Sequence, residues 1–282
     1  MESIIVRELP LDGAYALDVQ KSERLWSFFH ETYCVTLVGA GHGRWRYRRR
    51  DAAICPQALM LMDPGEVHVT TAIDAPGDFL AFFFSRELVR HIMEPSVSSD
   101  PHFQMIGTES PALVQGFQRV CTLLRAGSDK ESQRQELSLA VAGLFQSSAE
   151  APAIRRAVPT THVRRAARSI RERYESEPGQ TVNVASVAAD VGMNYHWLVH
   201  CFAEEFGVPP YQYVQALRLA KMRGLLLAGP REGLRCLADI AAAVGFCDKS
   251  HLHRTVKRKY GISPWQFAIA LNAGWANLPA VG

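Results

Sequence analysis

The chain has 282 residues, 48% hydrophobic and 21% charged, with a net charge of +3 at pH 7. Those values fit a globular protein of two ordinary domains. No run of about 20 apolar residues occurs, so no membrane span is expected. The start, Met1-Glu2-Ser3-Ile4-Ile5-Val6-Arg7, lacks the basic head and apolar core of a signal peptide. The six cysteines are scattered without a C-x-x-C pair, which suits a reducing cytoplasm. Cys201 and Cys247 are expected to be small core thiols rather than redox sensors.

Residues 1–100 read as short apolar or alternating runs separated by turn signals. Strands are predicted at Tyr15–Val19, Tyr33–Val38, Gly43–Tyr47, Ala58–Met62, Val67–Thr71 and Phe79–Phe84. Gly41-x-Gly43, Asp63-Pro64-Gly65 and Ala75-Pro76-Gly77 punctuate them. Many short strands with tight turns imply a small antiparallel β-barrel. Asp63-Pro64-Gly65-Glu66-Val67-His68 looks like the P-G-x-x-H turn of cupin barrels.

Such a barrel can enclose one small molecule in a mostly apolar cavity. Arg44, Arg46 and Arg48 alternate with Trp45 and Tyr47, and a period of two lets only one of these faces line the interior. Aromatics inside is the favoured arrangement. An arginine facing inward, ready for a carboxylate or phosphate, is the alternative. His30, Tyr33, Trp45, Tyr47 and His68 are the candidate pocket contacts, with His68 alternatively a turn histidine bonded to backbone. His30, His42 and His68 include no His-x-His, so neither a catalytic metal nor a cofactor is expected.

Helices are predicted at Ser110–Leu124 and Lys130–Ser147, where Leu113, Phe117, Val120 and Leu124, then Leu137, Val141, Leu144 and Phe145, recur at helical spacing. They would pack antiparallel over the barrel. Residues 149–161 hold two prolines and little periodicity and read as a linker. The expected domains are therefore 1–148, a barrel with a small-molecule pocket, and 162–282.

The second domain contains a repeat. Val187-Ala188-Ala189-Asp190-Val191-Gly192 returns as Ile240-Ala241-Ala242-Ala243-Val244-Gly245. Leu198 then answers to Leu252, Phe202 to Val256, Gly207 to Gly261 and Pro210 to Pro264. A small residue four positions before a glycine is the spacing of a helix-turn-helix: the small side chain admits the second helix, and the glycine takes the positive φ of the turn. Two helical hairpins serving only packing would show the same pattern in either copy alone. Residues 160–282 hold 15 Lys and Arg against 9 Asp and Glu, whereas residues 1–159 hold 16 against 19. A basic C-terminal half suits a polyanionic partner. Between the copies, residues 210–227 carry Leu217, Ala220, Gly224 and Leu227 at helical spacing and predict one connecting helix.

Taken together, these residues resemble the AraC/XylS transcription regulators. The likeness rests on the first unit with Leu198, Phe202, Gly207, Pro210 and Tyr213, and on Arg218-Leu219 and Leu225-Leu226 of the linker helix. It continues through Ile240-Ala241-x-x-Val244-Gly245-Phe246, Ser250-His251-Leu252-x-Arg254 and Lys257-Arg258-x-Tyr260-Gly261-Ile262-Ser263-Pro264. It spans Val163 to Phe267. The resemblance implies a seven-helix DNA-binding domain with two helix-turn-helix units on one linker helix. His30-Glu31-Thr32-Tyr33, a strand, and Gly41-x-Gly43 resemble the start of the effector-binding cupin of the same family. The implied fold class is α+β: a cupin-like antiparallel barrel with flanking helices, then an all-α domain. In the family such flanking helices often carry a dimer contact, with intramolecular packing as the alternative.

Position by position, the family pattern assigns Lys249, Ser250, His253 and Arg254 to the reading face of the second recognition helix. Arg254 could bond guanine in bidentate fashion or, alternatively, clamp a phosphate or pair with Asp248. Lys257 and Lys259 are expected to touch phosphates, and His251 to be buried at the helix start. In the first unit the face carries Tyr195, His196, Val199 and His200, capped by Asn194. It has neither arginine nor lysine, which departs from common family practice. Val199 offers only apolar contact, for example with a thymine methyl, and protonation of His196 and His200 would strengthen their hold on a groove.

The expected function is a sequence-specific bacterial regulator controlled by a small effector in the barrel, with activation favoured and repression the alternative. RNA polymerase is an expected partner and a homodimer an option. The expected location is the cytoplasm, at the nucleoid when DNA-bound. Control by a protein partner is the alternative. A cupin enzyme with a DNA-binding tail is disfavoured by the missing His-x-His.

Overall fold

The computed structural model describes residues 2–48, 50–93, 101–150, 161–177, 179–229 and 236–271. Most of the expected linker, 151–160, lies outside them. The chain forms two compact units, Met1–Arg156 and Ala157–Gly282.

The first unit is built on one eight-stranded antiparallel sheet. Its strands are β1 Ser3–Glu8, β2 Ala14–Ser22, β3 Ser27–Phe29, β4 Tyr33–Tyr47, β5 Arg50–Ile54, β6 Leu59–Met62, β7 Val67–Phe84 and β8 Gly107–Thr108. The order is β1-β2-β7-β4-β6-β8, with β3 on β7 and β5 on β4. The predicted strands at 33–38 and 43–47 are one long strand, and so are those at 67–71 and 79–84. The expected turns at Gly41-x-Gly43 and Ala75-Pro76-Gly77 are instead bulges that face each other, where the β4–β7 register slips between Val38 and Gly43. A bulge bends a strand without ending it. Gly41 has φ +93°, and a Cβ there would sit 2.5 Å from the Gly77 Cα. Only a residue without a side chain fits the crossing.

Beyond β7 come α1 Arg86–Ile92, α2 Pro111–Ala126 and α3 Lys130–Glu150, the last running three residues past the predicted end. They cover one face of the sheet. On that face lie Tyr33, Val35, Leu37, Leu59, Leu61, Leu80, Phe82 and Phe84, packed on Leu88, Phe117, Val141, Leu144 and Phe145. The alternate residues Cys34, Thr36, Val38, Met60, Met62, Phe79, Ala81 and Phe83 line a cavity on the opposite face. Both faces of these strands are thus buried, so their sequence is nearly continuously apolar.

The second unit is all helical. Its described residues form seven helices: α4 Thr161–Ser176, α5 Val184–Asp190, α6 Tyr195–Phe206, α7 Pro210–Ala228, α8 Leu237–Ala243, α9 Lys249–Tyr260 and α10 Pro264–Leu271. The linker helix α7 packs on α4 and α6 and also on α8 and α10. It is therefore buried nearly all round, through Tyr213, Val214, Leu217, Leu219, Met222, Leu225 and Leu226. The single predicted stripe is too narrow, and Gly224 on it is exposed. Two arginines of α7 are buried as well: Arg218 lies over the Phe246 ring, and Arg223 donates to the Tyr260 hydroxyl.

Candidate DNA interface and ligand cavity

Both helix-turn-helix units close their turns with the same pair of backbone bonds. In the first, Met193 N–H donates to Ala188 O at 2.9 Å and Gly192 N–H to Ala189 O at 3.0 Å. In the second, Phe246 N–H donates to Ala241 O at 2.8 Å and Gly245 N–H to Ala242 O at 3.1 Å. This is the Schellman closure, and it needs the left-handed glycine, here at φ +70° and +84°. Ala188 and Ala241 are buried beneath the second helices with Leu198, Phe202, Leu252 and Val256.

Each recognition helix starts on a side-chain cap. The Asn194 amide oxygen accepts from His196 N–H at 2.9 Å, and the Asp248 carboxylate accepts from His251 N–H at 2.6 Å. Asp248 thus serves the helix start, and no ion pair with Arg254 forms among the described residues. Ser250, His253, Arg254 and Lys257 share one exposed face of α9. Lys249 is half-buried, at the edge of that face. His251 sits edge-on to Phe246, with ring centres 5.0 Å apart, and so anchors the helix start.

Lys259 is less exposed than Lys257. Its side chain packs inward, and burial, then the charges of Arg223 and Arg258, push its ammonium down to about 8. It follows the inward residue Tyr260 around the helix rather than the outward Lys257. Cys247 also differs from expectation: it lies exposed in the turn before α9, while Cys201 is half-buried. A turn residue flanked by buried Phe246 and capping Asp248 has no core to enter.

On α6, Tyr195, His196 and His200 are exposed and Val199 is half-buried. His200 approaches Glu204 at 3.4 Å. One exposed side chain here escaped the sequence reading. Trp197 is 59% exposed, its ring tilted over His200 at 5.5 Å. The repeat aligns it with half-buried His251, which hid its exposure. The signal that could have found it is Met193, which stands where the second unit has Phe246.

In the first unit the cavity has a free volume of about 80 Å³. Its lining is mainly apolar, from Leu17, Val19, Phe28, Met60, Phe79 and Phe83, with His30, His68, Thr36 and Thr70 among the polar groups. The His30 and His68 rings face each other at 5.2 Å, and His30 lies 4.8 Å from Phe83. Two of the five candidate contacts, His30 and His68, therefore line the cavity.

The other three do not. Tyr33 points to the helical side, its ring against Phe145 and its hydroxyl donating to Pro101 O at 2.6 Å. Strand phase explains the miss: Cys34 is the inward neighbour. Trp45 and Tyr47 are buried and stacked at 5.4 Å, with Trp45 edge-on behind His68. The Tyr47 hydroxyl accepts from Asp63 N–H at 2.8 Å, at the end of the strand and away from the cavity.

The arginines divide. Arg44 and Arg46 face water, Arg46 pairing with Asp51 at 2.8 Å. Arg48 takes φ +51°, which breaks the alternation and turns its side chain inward. There it pairs with Asp63, donates to Glu66 at 2.7 Å and to Phe103 O at 2.9 Å. Asp63, 1% exposed, also accepts from Phe103 N–H at 3.0 Å. The expected effector turn is thus a clamp that ties the β4–β5 hairpin to the segment before α2. Burial works against the Arg48 charge, but Tyr47, Glu66 and Asp63 together hold its pKa above the ordinary arginine value.

Comparison with known proteins follows the same division. Residues 22–146 match the family model of the AraC-like ligand binding domain, and residues 187–268 that of a helix-turn-helix domain. The chain is 26% identical over 202 residues to the virulence regulon transcriptional activator VirF of Yersinia enterocolitica, covering 69% of this chain and 70% of that protein. It is 30% identical over 91 residues to the transcriptional regulator MtrA of Neisseria gonorrhoeae, covering 32% and 29%. Wild-type ToxT from Vibrio cholerae shares its fold, with a TM-score of 0.53 at 13% identity over 96% of each chain. With a ligand-binding domain of AraC type joined to a double helix-turn-helix, the chain belongs to the AraC/XylS family of transcription regulators.

Proposed function

We propose that this regulator is an activator that binds a two-block DNA site through α6 and α9 and responds to a slender, mostly apolar molecule in the barrel. The observation that carries the reading is the pairing of two matched recognition helices, both with an exposed outer face, with a cavity enclosed by the alternate residues of the sheet. The activator assignment follows the named activity of VirF. An apolar ligand fits the lining, and the solved ToxT is described as bound to an unsaturated fatty acid.

Control would operate by linkage: a ligand that binds one arrangement of the chain more tightly shifts the population toward it and so changes DNA affinity. The domain limits proposed are 1–148 and 162–282, and the effector contacts proposed are His30 and His68. RNA polymerase is the proposed partner and the cytoplasm the proposed location. No described helix is long and apolar enough to cross a membrane.

Selection of bound sites from a random duplex pool by the full-length protein tests the DNA reading. Two conserved blocks about 10 base pairs apart are expected; no enrichment of any motif would sink it. Thermal melting with a panel of small apolar molecules tests the cavity. A hit that stabilises the wild type and loses its effect in Phe83→Asp or His68→Leu supports the effector reading.

A further inference from the structure

The two recognition surfaces differ in charge far more than in shape. From Tyr174 to Leu217 there is no lysine or arginine, but there are Glu175, Glu177, Asp190, Glu204 and Glu205. The whole first helix-turn-helix lies in this stretch. Phosphate contacts by lysine and arginine release counterions and give DNA binding its salt dependence. Neither α5 nor α6 has such a side chain to offer, and Arg173, at the end of α4, is paired with Asp190. The second exposes Arg254, Lys257 and Arg258 along α9.

What α6 offers instead, beside the exposed His196 and His200, is aromatic surface. Trp197 is 59% and Tyr195 44% exposed in its first turn, the part of a recognition helix that meets base edges. Val199 is half-buried one turn on. In the major groove the one apolar group on a base is the 5-methyl of thymine. The counterpart of Trp197 in the second unit, His251, lies edge-on to Phe246, where the first unit has Met193.

We propose that the first unit reads its half-site through thymine 5-methyl groups, with Trp197 and Val199 as the contacts, and adds almost nothing to the salt dependence of binding. This rests on the reading of the chain as a regulator with a two-block site. Specificity and electrostatic affinity are then divided between the units: the second anchors the phosphates and reads with Arg254, and the first discriminates by shape and apolar burial.

The test uses the full-length protein and its selected site. Arg254→Ala first identifies the block read by α9, because that block loses specificity; the other belongs to α6. Thymines are then replaced by deoxyuridine, which removes only the methyl, in one block at a time. The expected loss in the α6 block is about fourfold for each methyl buried. Trp197→Gln and Val199→Ser, both at accessible positions, should abolish that sensitivity and leave the slope of log Kd against log salt unchanged. Deoxyuridine tolerated in the α6 block, or a salt slope that falls in Trp197→Gln, overturns the proposal while the regulator reading stands. A selected motif with a single block overturns it too, and makes the α6 face a surface for a protein. Enrichment of no motif at all fails both readings.

Discussion

Ala188 and Ala241, Val191 and Val244, Leu198 and Leu252, Phe202 and Val256 fill equivalent buried places in the two helix-turn-helix units. The turns close with the same two hydrogen bonds. Outside those places the units diverge: an acidic stretch with exposed aromatics in one, exposed arginine and lysine in the other. Packing fixes the inward residues, since a cavity or an extra methylene there costs energy in either copy. The outward residues answer only to what they touch, so they carry the difference in function.

The comparison breaks first if the cores are not equivalent. Leu198→Ala and Leu252→Ala each remove a fully buried side chain, and each should lower stability by about 2–5 kcal/mol in chemical denaturation. A loss in one copy alone would mean that only one unit is integral to the fold. The next effect separates the surfaces. Arg254→Ala should cost about 1–3 kcal/mol on the selected site and relax one base position. Lys257→Ala should weaken all sequences alike and lower the salt slope by about one. Equal losses on specific and random DNA for Arg254→Ala would make it a phosphate contact.

Smaller still are the caps. Asn194→Ala and Asp248→Ala should each cost about 1 kcal/mol, visible as matched shifts in unfolding midpoint. The last effect is one of pH. Lys259 is held at about 8 in the folded protein, below its ordinary value of about 10.4 in an unfolded chain. Between those values the unfolded chain binds the extra proton, so this residue's penalty is full below pH 8 and fades as pH rises toward 10. Stability relative to Lys259→Met should therefore climb over that window. A flat difference between the two proteins would show that Lys259 reaches solvent in the folded state.

The helical unit was far more legible than the barrel, for a physical reason. Its repeat places apolar residues at a period that water enforces on one side of each helix, and the duplicated glycines mark the turns. In the sheet both faces are covered around Tyr33 and Phe82, so alternation of apolar with apolar carries no phase. That is why Tyr33 reads as a cavity residue and Cys34 does not. Gly41 and Gly77 look like strand ends because a bulge and a turn make the same demand on a backbone. Arg48 left its expected face through a positive φ that no periodicity encodes. His30 and His68 are legible because each stands beside a strand start or turn signal, His68 just after Asp63-Pro64-Gly65. Lys259 reads as a surface cation because it follows exposed Lys257 and Arg258 in sequence, and only its burial in the fold sets it apart.

The double burial of the central strands also has a mechanical meaning. Cys34, Thr36 and Val38 of β4 touch the cavity, while Tyr33, Val35 and Leu37, one residue away on the same backbone, press on the helical layer. The strand is a diaphragm one residue thick. Pressure applied from inside the barrel has no solvent gap in which to dissipate, and the first things it meets on the far side are Phe117 and Phe145 of α2 and α3. A guest too large for the space would be felt on the outer surface of those helices without any chain of relays between.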